Sequence, residues 1–135
     1  MRRPRLWWLG LLCLFLVYSA YHILMFDMGL IYRLGSWERH GIKFGTAVLI
    51  FVVGTFFLKR TAQPSPWMWQ LWNVVHIGGM LALMVLGAID HWIMELSTTW
   101  RYFASRIHLF LISPMFYVAM GLLSKQLDRS ASKED

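Results

Sequence analysis

The 135-residue chain is 58% hydrophobic and only 15% charged, with a formal net charge of +6. A soluble domain carries roughly a quarter charged residues, so this composition excludes an ordinary soluble protein. It also argues against a nucleic-acid-binding protein, because the basic residues stand at the ends of apolar runs and form no continuous patch. The single cysteine, Cys13, excludes an intrachain disulfide and a thiolate metal cluster.

Four apolar runs follow one another along the chain, and a membrane-spanning helix needs about 20 such residues. The predicted spans are residues 6–26, 42–58, 67–89 and 103–123. The second run is short, but Lys59 and Arg60 at its end have long side chains that reach the interface and complete the span. We therefore predict an all-α membrane protein with one four-helix transmembrane domain over residues 1–123. The short loops favour an up-down bundle in which the first and fourth helices are neighbours.

The two ends of the chain carry further signals. A basic segment precedes the first run, as in a signal peptide, but Tyr18 stands where cleavage after Ala20 would need a small residue. The first run is therefore expected to remain as a helix. Residues 124–135 are polar and mixed in charge, and are expected to form a frayed cytoplasmic tail.

Orientation follows from the lysines and arginines, which are in excess on the cytoplasmic side. One side carries Arg2, Arg3, Arg5, Lys59, Arg60, Lys125, Arg129 and Lys133. The other carries Arg33, Arg39, Lys43, Arg101 and Arg106. This balance places both termini in the cytoplasm. All the tryptophans fall near predicted span ends, which is typical of interface anchors. The absence of a glycosylation sequon fits a multi-pass protein of a bacterial inner (plasma) membrane.

The histidines are the residues that suggest chemistry, since no nucleophile elbow, phosphate loop or zinc-protease motif is present. His22 and His108 lie at matching depth near the outer ends of the first and fourth helices, with His91 at the outer end of the third. Two facing imidazoles at this depth would hold a single haem b iron or contact a quinone. The structural alternative is a polar group at the interface, with His22 beside Tyr18.

His76 lies near mid-membrane, where an uncompensated polar group is expensive. Together with Asn73, one turn earlier, it is expected to face the bundle interior on a stripe that continues through Met80, Met84, Gly87 and His91. An interhelical hydrogen bond would explain it; a proton relay or quinone contact is the functional alternative. The candidate partners for an interhelical hydrogen bond to His76 are Tyr21, Thr46 and Ser113.

Three further features have structural explanations. Arg106 is expected to reach the outer headgroups or to pair with Asp90 or Glu95. Small residues at Gly41 and Gly45, or at Gly78 and Ala82, are typical of helix contacts in a bilayer. Pro114 is expected to kink the fourth helix, since it removes a backbone donor and clashes with the Phe110 carbonyl.

Together these observations predict a small, non-catalytic or accessory membrane subunit that packs with other membrane proteins or with copies of itself in the lipid bilayer. The first alternative is a single-haem or quinone-interacting redox subunit that uses His22 and His108. The second is a component of metal-linked or proton-linked transport. A metal site is disfavoured, because Asp90 and His91 are adjacent and point about 100° apart on a regular helix.

Overall fold

A computed structural model of the chain describes residues 4–61 and 66–134, and every regular element in these ranges is helical. The helices are α1 (Pro4–His22), α2 (Leu30–Arg33), α3 (Ser36–Thr61), α4 (Pro66–Ala88), α5 (Thr98–Ile112) and α6 (Pro114–Glu134). Single π-helical turns extend α1 through Ile23–Asp27 and α4 through Ile89–Ile93. Arg2, Arg3 and the predicted helix break at Pro64 lie outside the described residues.

Three of these helices are long and apolar enough to cross a membrane: α1 and α4, each with its π-helical extension, and α3. The count rises to four if α5 and α6, which are bent by 49° at Ser113, form one broken span. The prediction of an all-helical chain with several candidate membrane spans is therefore confirmed, at three to four spans.

The helix ends have identifiable causes. Gly29 adopts a positive φ of 66°, a conformation that only glycine enters without strain, and so turns the chain after α1. Glu38 accepts a hydrogen bond from the Gly35 N–H at 3.0 Å, which caps the start of α3 six residues before the predicted span begins. Pro66 occupies the first position of α4, where its missing N–H leaves no helical bond unmade.

The predicted kink at Pro114 is confirmed and takes the form of a complete break. Ser113 is extended (ψ 131°), and its N–H donates to the Phe110 carbonyl at 3.3 Å. The Ser113 hydroxyl accepts from the Met115 N–H at 3.3 Å, so it caps α6 where the proline interrupts the backbone ladder. The chain therefore ends one helix and begins a second one in a new direction.

The polar C-terminal segment, which was expected to form a frayed tail, is helical in the structure. Helix α6 continues through Glu134, with the Ser130 hydroxyl donating to the Gln126 carbonyl at 3.1 Å. No glycine or proline follows Gly121, and the segment contains good helix formers such as lysine, glutamine and leucine. A helix that starts in the apolar region can therefore propagate through it.

The first and last parts of the bundle are neighbours, as predicted. Near the start of α1, Trp7 stacks on Tyr117 of α6 with ring centroids 5.6 Å apart. Near its end, Tyr21 contacts His108 of α5 at 5.1 Å. The chain from α5 to α6 therefore runs antiparallel to α1, with α5 beside the end of α1 and α6 beside its start. Helix α3 packs against α1, α4 and α5 and is the central element.

The core between these helices is built from aromatic rings that lie on glycines. A Cβ at Gly54 would lie 2.7 Å from Cη2 of Trp72, and one at Gly10 would lie 2.7 Å from Cγ of Phe57. Gly121 leaves the same kind of space for Trp7. The absent side chains allow large rings to fill the interior, so this part of the bundle is closely packed.

Candidate functional site

His108 is buried and joins α5 to α3. Only 2% of its surface is exposed, and Nε2 lies 2.9 Å from the backbone carbonyl of Lys43. Because a carbonyl only accepts, Nε2 must carry the proton in this hydrogen bond. The nitrogen that usually ligates a metal or haem is therefore engaged with the backbone of another helix.

The structure does not bring the predicted pair of histidines together. Tyr21 is the α1 residue that contacts the His108 ring, and adjacent helical residues point about 100° apart. His22 is half-buried between Tyr18 and Phe26, with ring centroids at 5.2 and 4.9 Å. The neighbour expected for His22 under the structural alternative, Tyr18, is thus present.

Haem binding by His22 and His108 stays a prediction, without the geometric support of a facing pair. An absorption spectrum of the protein, purified after expression with ample haem, tests it directly. Bands that sharpen on reduction with dithionite and vanish in His22→Ala would support haem, whereas a colourless protein would exclude it.

His76 is buried against aromatic rings. Its centroid lies 4.1 Å from that of Trp72 and 5.6 Å from those of Phe51 and Phe116. Nδ1 donates to the Trp72 carbonyl at 3.0 Å on its own helix, and Nε2 has no hydrogen-bond partner among the described residues. None of the predicted partners on other helices bonds this ring within the described chain. The imidazole therefore mainly fills space in the core.

The inward face of α4 differs from the predicted stripe. The buried residues of α4 are Met68, Trp72 and His76, whereas Asn73 is half-buried and Met84 and His91 are exposed. The prediction that His76 faces protein is confirmed, but the stripe through Met84 towards His91 is wrong. The buried face recurs every four residues through Met68, Trp72 and His76, so it includes Trp72 where the prediction had Asn73.

Trp72 was predicted to anchor the membrane interface, and the structure buries it in the core. It is 1% exposed, and its Nε1 donates to the Thr55 hydroxyl of α3 at 3.1 Å. Trp7 is also buried, so these two tryptophans are packing residues and not interface anchors. Thr55 was an available signal, because a hydroxyl in the middle of an apolar run bonds either the carbonyl one turn earlier or a group on a neighbouring helix.

A polar cluster stabilises the end of α4. The Asp90 carboxylate accepts from Nε and Nη2 of Arg101, each at 3.1 Å, and from the Leu96 N–H at 2.9 Å. The His91 ring contacts Trp37 at 4.5 Å instead. Asp90 thus pairs with Arg101, so the pairing with Asp90 that was one alternative for Arg106 does not form. No group of three or more metal-ligating side chains occurs in residues 4–61 and 66–134.

Two glycines of α3 are open, in contrast to the packed ones. A Cβ at Gly41 or Gly45 would meet no atom within 4 Å, and both residues are exposed. The same side of α3 continues through Leu49, Val52 and Phe56, which are 47%, 55% and 47% exposed. We call these five residues the open glycine face. The expected helix contact at Gly41 and Gly45 is not formed among the described residues.

The fold and these contacts define an all-helical chain with three to four helices suited to cross a membrane. Its buried polar groups mostly bond backbone or neighbouring helices. No protein-family profile, curated protein or solved structure matches the chain.

Proposed function

We propose that the protein is a non-catalytic, accessory membrane subunit whose open glycine face receives a transmembrane helix of another chain. The observation that supports this is the pair Gly41 and Gly45, one helical turn apart, with free space beside both. In a bilayer, helices associate by close packing, and glycines one turn apart allow two backbones to approach.

The position of this face within the bundle strengthens the proposal. Helix α3 is the central element, yet Gly41, Gly45, Leu49, Val52 and Phe56 form a continuous row that no helix of the described chain covers. Lipid tails solvate such a row as well as another helix does, so hydrophobicity alone would not select a partner. The space beside Gly41 and Gly45 has a shape that lipid tails fill poorly and that a helix fills well.

The absence of free chemical groups at this face favours an accessory role over catalysis. His108 bonds the Lys43 carbonyl and Trp72 bonds Thr55, so both polar groups connect helices. An interface built from glycine and apolar residues binds a helix and offers no acid, base or nucleophile. Metal-linked or proton-linked transport stays an alternative prediction centred on His76.

The proposed topology has four spans, the last one broken at Ser113, with both termini in the cytoplasm of a bacterial inner membrane. A single broken span is supported by the contacts of α5 and α6 along most of α1. The basic residues at one end of the bundle, such as Lys59, Arg60 and Lys125, support the orientation. A C-terminal fusion to green fluorescent protein should fluoresce, whereas an active alkaline phosphatase fusion at that site would reverse the topology.

The partner proposal is tested by the size of the complex extracted from native membranes in mild detergent. The chain has a mass of 15.9 kDa, and we expect it to migrate as a larger assembly. Gly45→Leu should release the monomer, because the added side chain holds the helices apart. Ala20→Leu, at an exposed small residue of α1, is the matched control and should leave the assembly intact.

Two results would contradict the proposal: a wild-type protein that migrates as a monomer, or a Gly45→Leu variant that stays in the assembly. Mass spectrometry of the assembly then separates a second copy of the chain from a different membrane protein.

A further inference from the structure

A groove with a volume of about 440 Å³ lies between α4 and α5, and none of its lining residues belongs to the open glycine face. Its lining residues are Val75, Gly79 and Ala82 of α4 and Arg106, Ile107, Phe110 and Leu111 of α5. Apart from Arg106, all of them are apolar. The groove is shallow and open along one side.

The groove results from small residues on α4. A Cβ at Gly79 would lie 2.7 Å from Cδ2 of Leu111, so the two helices touch there. Leu111 is buried, whereas Phe110 is 53% exposed and stands at the surface beside it. The close contact at Gly79 brings the two helices together, and Ala82 leaves room beside it that a larger side chain would occupy.

Arg106 is held beside this groove by Tyr102. Its guanidinium lies 4.6 Å from the Tyr102 ring centroid and donates a hydrogen bond to the tyrosine hydroxyl. Helical side chains point towards the helix N-terminus, so Tyr102, one turn earlier, directs the charge along α5 to the end of the groove. The guanidinium has five N–H donors, and Tyr102 accepts from one nitrogen only.

The charge of Arg106 has no partner within the described chain. Asp90, the nearby acid, pairs with Arg101, and none of the described carboxylates forms an ion pair with Arg106. An arginine at the edge of an apolar groove extends to water and lipid headgroups or meets an anion. A phosphate matches the fork of a guanidinium through two parallel hydrogen bonds.

We propose that this groove binds one anionic phospholipid, with the phosphate on Arg106 and an acyl chain along Val75, Gly79, Ala82 and Phe110. A phospholipid joins a phosphate to an apolar chain in one molecule, which is the combination that the groove presents. A partner helix would have to bring a carboxylate to the same position, at the cost of carrying that charge into the membrane. The site is independent of the proposed partner face on α3.

Native mass spectrometry of the purified protein tests this inference, with phosphatidylglycerol and phosphatidylcholine of identical acyl chains as the probes. Wild type should bind one phosphatidylglycerol about tenfold more tightly than phosphatidylcholine, the effect expected of one charge-assisted contact. Arg106→Gln should remove most of this preference. Arg106→Lys should retain part of it, since the charge remains but the paired donors are lost.

Two further variants separate the headgroup from the tail. Ala82→Phe should weaken binding of both lipids, because the ring fills the groove. Arg101→Gln, at an exposed arginine that is already paired, is the control and should leave the preference unchanged. Inorganic phosphate should not compete, because it lacks the acyl chain.

Equal binding of the two lipids by wild type would overturn the inference. A preference that survives in Arg106→Gln would do the same, because it would reflect the overall positive charge. Thermal unfolding of each variant in detergent confirms that it is folded before its lipid binding is compared.

Discussion

Two stretches of α3 use glycine in opposite ways. At Gly54 the Trp72 ring fills the space that a side chain would take, and the same ring bonds Thr55, the next residue. At Gly41 and Gly45, more than two turns earlier, the space is empty. The same residue type therefore closes the bundle at one end of the helix and leaves it open at the other.

The bundle therefore has two halves that are held together differently: a closed half around Gly54 and an open half around Gly41 and Gly45. The closed half is held by rings on glycines, including Trp7 on Gly121. The open half is held by polar contacts that join helices, His108 to the Lys43 carbonyl and Asp90 to Arg101, together with ring contacts such as Tyr21 to His108. We infer that the closed half stabilises the monomer, whereas the open half is available to another chain.

The largest effect is expected from Gly54→Leu. The new side chain would overlap the Trp72 ring, and overpacking in a filled core costs about 1–3 kcal/mol or more. The melting temperature in detergent should fall sharply, or the variant should fail to purify as a single species. Gly45→Leu is the matched control and should lose much less, only the stability that the released assembly contributed. Equal destabilisation of the two variants would break the distinction between the halves.

An intermediate effect is expected from His108→Phe. The substitution retains a buried ring but removes the N–H that bonds the Lys43 carbonyl, a contact worth on the order of 1 kcal/mol. Melting in detergent should therefore reveal a modest loss. His22→Phe, at a half-buried ring between Tyr18 and Phe26, should change little. A larger loss at His22 than at His108 would contradict the assigned roles.

The smallest effect is expected from Arg101→Met. The Arg101 side chain is 54% exposed, and exposed ion pairs contribute less than about 1 kcal/mol. The loss in melting temperature should shrink as salt is added, because salt already screens the wild-type pair. A salt-independent loss would show that the methionine disturbs packing at the end of α4.

Much of the fold was predictable from the sequence because it depends on lengths and composition. The apolar runs located the candidate spans, and Pro114 located the break, since its ring and missing N–H act wherever it stands in a helix. Glu38 could also have been recognised as the cap that starts α3 earlier than the apolar run does.

The site was less predictable because it depends on the direction in which each helix faces. A shift of one residue turns a helix face by about 100°, which is why Tyr21 meets His108 in place of His22, and why Trp72 is buried. The two kinds of glycine on α3 look alike in the sequence. Which of them is packed depends on the ring that a different helix places opposite it.

Site-specific photo-crosslinking in native membranes tests the central claim, that the open glycine face receives another helix. A photoreactive amino acid at Leu49 should give a discrete crosslinked polypeptide, and Gly45→Leu should abolish it. The same probe at Leu16, on the exposed side of α1, is the control and should crosslink only to lipid. Lipid adducts alone at both positions would contradict the claim and would identify α3 as a lipid-facing helix.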